Sequence, residues 1–302
     1  MHKQTIPWQS YWQDGNFDTF GKSFSDGNPV ADALAVKLKE IALTNSEVQT
    51  LLDLGCGKGE HFQWLREMLP VQINQPLHIV GVDAAIPTME IDSHTKIVKD
   101  NFESLSHVLQ SEQCFDVVFA MFAAEYGQFN RILKALQLLH SGQLDCIFLM
   151  HTPGSIITEK TRHTLDFYRL FLNKDLDKAL RKLKKTTNIK MFETTVLNNL
   201  NAVIGLKRSE LMYDLHTVAE RLQRLFSSIN LSQKSKHVEQ LLHYFEQLSM
   251  HKLRLEQQLA ASKNSELLNG ALADAGHHIK TDEILFNSYG EIGRFIHFVI
   301  QH

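Results

Sequence analysis

The chain is 302 residues long, 43% hydrophobic and 22% charged, with a formal net charge of −3; it can bury a sizeable core, and its charge gives no support for wholesale binding to nucleic acid or membrane surfaces. Its three cysteines, Cys56, Cys114 and Cys146, lie in or beside predicted strands or a glycine loop and read as reduced thiols rather than a disulfide framework. Met1-His2-Lys3-Gln4-Thr5 has no apolar targeting core and no run of about 18 apolar residues follows, so a cytoplasmic protein without a membrane span is expected.

Residues 1–44 form an aromatic opening segment with Trp8, Tyr11, Trp12, Phe17, Phe20 and Phe24, which either covers a ligand or packs on the domain behind it. Leu51-Leu52-Asp53-Leu54 then reads as a strand that breaks into Gly55-Cys56-Gly57-Lys58-Gly59-Glu60. Phe62, Leu65 and Leu69 mark one face of the helix that follows. A strand, a tight glycine turn and a helix start make a cradle for a polar, nucleotide-like ligand, because glycine takes positive φ and leaves no Cβ in the ligand's way. A dinucleotide loop wants G-x-G-x-x-G; here the spacing is G-x-G-x-G, and Glu60 would set a carboxylate where a pyrophosphate sits. A cofactor with a positive charge and an amino-acid tail meets no such conflict.

Further strand candidates are 77–83, ending in Asp83, then 95–100, 115–121 and 144–150. Their alternation with helical sequence predicts a parallel sheet covered by helices. Ligands of such sheets bind at the carboxyl ends of the strands. The residues to watch are therefore Asp83 and Ala84, then Asp100, Asn101 and Phe102, then Ala120, Met121, Glu125 and Tyr126, and His151 beyond the last strand. Asp83 stands 24 residues after Gly59, where an acid can accept bonds from both ribose hydroxyls or cap a helix. Only thirteen residues separate Asp83 from Ile97, too few for a full helix.

From 155 to 275 helical periodicity takes over. Leu165, Tyr168, Leu172, Leu176, Leu180 and Leu183 fall at intervals of three or four. So do Leu211, Leu215, Val218, Leu222 and Leu225, and then Val238, Leu241, Phe245, Leu248, Leu255 and Leu259. A join at 227–230 suggests a helical hairpin. The block reads as an insertion, a lid or an interaction module, whose seams bury against each other, on the sheet or across a homodimer. The basic stretch Lys174, Lys178, Arg181, Lys182, Lys184, Lys185 and Lys190 alternates with acids, as a solvated helix face does. His277-His278 is too isolated for a metal site, and no metal is expected. The end returns to strand, 283–288 and 294–300 flanking Tyr289-Gly290-Glu291-Ile292-Gly293 as a β-hairpin.

In the glycine loop with Asp53 before it, in Asp83 one strand on, and in the terminal hairpin, the chain resembles the class I S-adenosylmethionine-dependent methyltransferases. Their first motif is written D-x-G-x-G-x-G, and their sheet ends in an antiparallel strand inserted beside the fifth. The resemblance covers roughly 45–152 and 282–301. It implies an α/β fold: a Rossmann-like, doubly wound, mostly parallel seven-stranded sheet over 45–154 and 276–302, carrying the helical insertion 155–275. It implies S-adenosylmethionine as cofactor, leaving S-adenosylhomocysteine. Gly55, Cys56, Gly57 and Gly59 would wrap its methionine part, and Asp53 would orient the loop or meet the ammonium through water. Asp83 with Ala84 would hold the ribose, and Asp100 the adenine amino group with Asn101 or Phe102 beside the ring, while Asp100 or Asn101 capping a helix is an equal alternative and both roles can coexist. Ala120 and Met121 would lie nearest the methyl group.

Where many relatives acting on amino groups carry N/D-P-P-Y/F, this chain has Ala120-Met121-Phe122-Ala123. A small-molecule O, N or C acceptor is therefore expected, with nucleic acid disfavoured. An RNA or protein methyltransferase, or a non-catalytic cofactor-binding subunit with a helical docking module, stays open. Glu125 and Tyr126 are candidates for holding the substrate. His151 is the candidate general base for an acceptor that arrives protonated, against the plainer role of a histidine bonded to a loop carbonyl.

Overall fold

The apolar runs pair into one eight-stranded sheet in a computed structural model that describes residues 7–9, 28–42, 48–69, 76–109, 114–139, 142–186, 189–204, 212–227 and 234–301. The strands are β1 (Thr50–Leu54), β2 (His78–Asp83), β3 (Met89–Asp92), β4 (Thr95–Lys99), β5 (Val117–Met121), β6 (Gln143–Met150), β7 (His278–Asn287) and β8 (Gly290–Gln301). Their order is β3-β4-β2-β1-β5-β6-β8-β7. β4, β2, β1, β5 and β6 run parallel, while β8 lies antiparallel between β6 and β7. This is the Rossmann-like arrangement with a terminal antiparallel hairpin that the resemblance implies.

The helices are α1 (Pro29–Ala42), α2 (Phe62–Met68), α3 (Ser106–Leu109), α4 (Phe129–Leu136), α5 (Ile156–Phe171), α6 (Lys174–Thr186), α7 (Ile189–Ile204), α8 (Met212–Ser227), α9 (Lys234–Asn264) and α10 (Leu268–Asp274). Both faces of the sheet are covered. Leu52, Leu54, Val80 and Val118 pack with Ile132 and Leu136 of α4 and Leu268 and Leu272 of α10. Leu51, Ile79, Val117 and Phe119 pack with Leu34 and Leu38 of α1 and Phe62 and Leu65 of α2. Burial on both faces is why these strands read as unbroken apolar runs, and each such side chain contributes about 1.5–3 kcal/mol.

The sequence predicts seven strands; the eighth is β3. It pairs antiparallel with β4 through a bulge between Glu90 and Asp92, and it fills the short stretch after Asp83 that has no room for a helix. All four of its residues are exposed, so no apolar alternation marks it. From β1 the chain steps outward through β2 to β4, then returns to β5 on the other side of β1. That reversal parts the connections at the carboxyl ends and opens a crevice there.

The chain divides into two compact units, residues 1–158 with 257–302, and residues 159–256. The expected insertion, 155–275, is longer than the second unit. Residues 257–275 belong to the first, where polar ties invisible to helical periodicity hold them. Asn264 Nδ2 donates to the Glu125 carbonyl, and Arg294 of β8 donates to the Ser265 carbonyl, to Asn269 and to both oxygens of Asp282.

The second unit is helical throughout its described residues. Its core is aromatic: Phe171 stacks on Phe167 and Phe245, and Phe192 meets Phe245 edge-on at 5.3 Å. The leucine stripe predicted through 165–183 breaks at Asn173, whose Oδ1 accepts from the backbone N–H groups of Asp175 and Leu176 and so starts α6. Asn199 seals the turn, donating to the Phe171 carbonyl at 2.9 Å. The basic stretch is exposed and laced with Lys178–Asp175 and Arg181–Asp177 pairs. Leu211 and residues 228–230 lie outside the described residues, as do Tyr11, Trp12, Phe17, Phe20 and Phe24 of the opening segment. No helix of the described residues is long and apolar enough to cross a membrane.

Candidate functional site

At the reversal point a cavity of about 300 Å³ opens over the ends of β1, β2, β4 and β5, within the range of small-molecule sites. Its floor begins with the glycine loop. Gly55, Gly57 and Gly59 all have positive φ, at 73°, 56° and 73°. Gly55 lines the cavity, and a Cβ built there would stand 2.3 Å from the Cβ of Ala123 on the β5 side. Gly59 serves a different end: a Cβ there would strike the ring of Phe62, which packs under the loop. The loop is pinned to β2, Gly55 and Cys56 N–H both donating to the Val82 carbonyl.

Asp83 closes that pin from the other side. Its Oδ2 accepts from Gly57 N–H at 3.0 Å, and its Oδ1 from Ala85 N–H at 2.7 Å and Ile86 N–H at 3.2 Å. Burial pushes its carboxyl pKa above the usual range, and the three backbone donors pull against that. Oδ2, with one donor, keeps acceptor capacity at the cavity wall. Ala84 lines the cavity beside it.

Asp53, Cys56, Gly57 and Gly59 are not among the lining residues. Asp53 bonds His61 Nε2 at 2.7 Å, with both side chains buried; it braces the loop from beneath. Cys56 points into the core against Gly81, and burial, then the charges of Asp53 and Asp83, push its thiol pKa up. Asp100, placed on the adenine amino group by the resemblance, is a helix cap here: its oxygens accept from the N–H groups of Asn101, His107 and Val108 and from Ser106 Oγ. Asn101 and Phe102 do line the cavity.

Ala120 and Met121 are buried inside β5. The side chains that reach the cavity come one step later, at Phe122 and Ala123. Phe122 has φ of 52°, unusual for a bulky residue. Tyr126, on the 3₁₀ turn Ala124–Tyr126, completes this side and meets Trp8 edge-on at 5.5 Å.

Glu125 and His151 are brought together, but behind that wall. His151 N–H and Nδ1 both bond Glu125 Oε1, at 2.9 and 2.6 Å, and Nε2 lies 3.0 Å from Gln258 Nε2. The imidazole packs on Phe122, centroids 4.4 Å apart. Neither residue lines the cavity, and both ring nitrogens are engaged. A neutral ring with its Nδ1 proton toward the carboxylate accepts from Gln258, so His151 is placed as a buried strut rather than as a base facing a substrate. Glu125 Oε2 has no hydrogen-bond partner among the described residues.

Sequence reading missed the fourth wall. Gln257, Ala260, Ala261 and Asn264 line the cavity from the last two turns of α9, about 200 residues from the glycine loop. Their i, i+3, i+4, i+7 spacing was the available signal, hidden in a stretch that otherwise reads as leucine seam.

No family model matches the chain, and neither does any curated protein. Solved structures do match at low superposition. The N-methyltransferase NodS of Bradyrhizobium japonicum with S-adenosylhomocysteine is 13% identical, over 46% of this chain and 71% of that one, at a TM-score of 0.33. CalS10, an aminopentose methyltransferase of Micromonospora echinaspora with S-adenosylmethionine, is 17% identical over 47% and 55%, at 0.29. An S-adenosylmethionine-dependent methyltransferase of Archaeoglobus fulgidus is 18% identical over 42% and 56%, at 0.29. This chain thus spans little more than half the length of the last two. What the protein does has to be argued from the residues of its own site.

Proposed function

We propose that the protein is a methyltransferase that takes its methyl group from S-adenosylmethionine and passes it to a small-molecule O, N or C acceptor. One observation carries the reading: the glycine loop and Asp83 meet at the cavity floor, with Gly55 stripped of any Cβ against Ala123 and Asp83 Oδ2 holding a single backbone donor. Such a floor suits a ligand that needs close backbone approach and a diol acceptor. Gly55 and the loop would receive the methionine end, Asp83 the ribose hydroxyls, and Asn101 and Phe102 the adenine, with Asp100 acting only through Asn101. When bound, the cofactor supplies an activated methyl group that needs no further polarising by the protein.

The chain's own task is then placement. Phe122, Ala123 and Tyr126 would confine the acceptor, and Trp8 against Tyr126 helps exclude water. Holding two reactants in line supplies on the order of 7–11 kcal/mol, which fits a wall on which no carboxylate or imidazole joins Tyr126 among the lining residues. Titration calorimetry with S-adenosylhomocysteine tests the reading: binding is expected, and Asp83→Ala should weaken it at least about tenfold with the unfolding midpoint monitored in parallel. Undiminished affinity in folded Asp83→Ala, or no heat from the parent protein, refutes it.

A further inference from the structure

We propose, resting on that reading of the cavity, that the methyl acceptor is an uncharged, flat, largely apolar molecule, and that Gln257 and Asn264 read hydrogen-bonding groups at its ends. The cavity has two chemically unlike halves. The half given to the cofactor holds both acids, Asp83 and Glu103. Glu103 is already engaged, by Gln128 N–H and Arg131.

The other half is Trp8, Phe122, Ala123 and Tyr126 facing Gln257, Ala260, Ala261 and Asn264. Among these described residues there is no lysine, arginine, histidine or carboxylate. A cationic acceptor would be desolvated here with no carboxylate to meet it and with the positive sulfonium alongside, and an anionic one with no protein cation to meet it, the sulfonium being its one counter-charge. An uncharged molecule carries neither penalty.

Shape follows from α9. Gln257, Ala260, Ala261 and Asn264 share one helix face. The two alanines leave a shallow apolar trough, bounded by carboxamides about 10 Å apart along the axis. Asn264 Nδ2 is anchored on the Glu125 carbonyl, which fixes the plane of its amide. The same cavity is lined by Phe122 and Tyr126, Tyr126 braced edge-on by Trp8. A fused two-ring molecule lies along such a trough with polar substituents at the amide ends.

Naphthol, naphthoate and naphthylmethylammonium, substituted at the same ring position, probe this by calorimetry on the full chain with and without saturating S-adenosylhomocysteine. With it bound, naphthol should bind at least about tenfold tighter than either charged analogue. Gln257→Leu should weaken naphthol but not naphthalene. Ala260→Lys, which sets a cation in the trough, should raise naphthoate affinity at least about fivefold. Equal or tighter binding of a charged probe overturns the inference while leaving the cofactor reading intact, as does failure of all three to bind below about 1 mM. Absence of S-adenosylhomocysteine binding removes the cofactor reading and this inference with it.

Discussion

Gly55→Ala probes the joint on which the site depends. Gly55 has φ of 73°, and its absent Cβ would stand 2.3 Å from the Ala123 Cβ. Left-handed backbone costs a non-glycine residue about 1–2 kcal/mol, and forcing a methyl into a filled space costs about 1–3 kcal/mol more. Gly276→Ala is the control: its φ is 71°, and a Cβ there meets nothing within 4 Å. The two substitutions share the backbone cost and the unfolded-state effect, so their difference isolates the contact and should be about 1–3 kcal/mol. Ala123→Gly in the Gly55→Ala background removes the opposing methyl, leaving the Ala123 Cα as next neighbour at 3.6 Å; it should recover most of that difference. Urea unfolding at unchanged slope gives the three values. Two single substitutions agreeing within about 0.5 kcal/mol, or no recovery in the double variant, would refute the close approach of the β1 and β5 loops.

Arg294 holds the Asp282 carboxyl below the usual range through their hydrogen bonds. That contribution is complete above the ordinary aspartate value of about 3.9 and is lost as pH falls through the folded value. The stability gap between the parent and Asp282→Asn should therefore be flat near neutrality and close in acid. His251 behaves oppositely, its pKa pushed down to about 3 by burial and then by the charge of Arg254. The unfolded chain binds its proton first, so stability should fall as pH drops below about 6.5, by up to about 1.4 kcal/mol per unit; His251→Gln should flatten that slope, and an unchanged slope would count against the assignment. Asn199→Leu strips the Phe171 carbonyl of its partner and should cost about 1–3 kcal/mol by thermal or chemical unfolding. His151→Leu removes the imidazole and leaves Glu125 Oε1 with only the backbone N–H of residue 151, and a loss of about 1–3 kcal/mol is expected; a loss below about 0.5 kcal/mol would mean the side-chain bond does not exist in solution.

Five strands, β1, β2, β5, β6 and β8, were legible because burial on both faces writes itself as short apolar runs; β4 and β7, less buried, were marked by their β-branched and aromatic residues. β3 was not, because its residues are exposed and only a length constraint pointed to it. Asp83 and Asp100 look alike in sequence, an acid at the end of a parallel strand. They part ways because α3 starts six residues after Asp100 and takes its oxygens as a cap, whereas β3 follows Asp83 and leaves it at the cavity. The boundary at 256/257 was hidden for a related reason: α9 is one continuous helix of 31 residues, and periodicity cannot say which compact unit each turn joins. Side-chain bonds from Gln258 and Asn264 decide that.

Those bonds also account for a buried Glu125–His151 hydrogen-bonded pair that does not line the cavity. Glu125 follows β5, His151 follows β6, and Gln258 and Asn264 end α9, so one network fixes the β5 and α9 walls of the cavity relative to each other through the end of β6. A buried pair is weak evidence of stability, since apolar residues of similar volume often do as well. It is better suited to setting distances, because directional hydrogen bonds hold one geometry where an apolar contact tolerates several, even with Glu125 Oε2 left without a partner among the described residues. With His151 committed to that role, the acceptor wall offers Tyr126 as its titratable group. On the function proposed above, the acceptor arrives with its lone pair already available or releases its proton to water as the new bond forms, since a neutral phenol is a proton donor near neutrality. The flat, uncharged acceptor proposed for the α9 trough fits chemistry that rests on alignment rather than on a protein base.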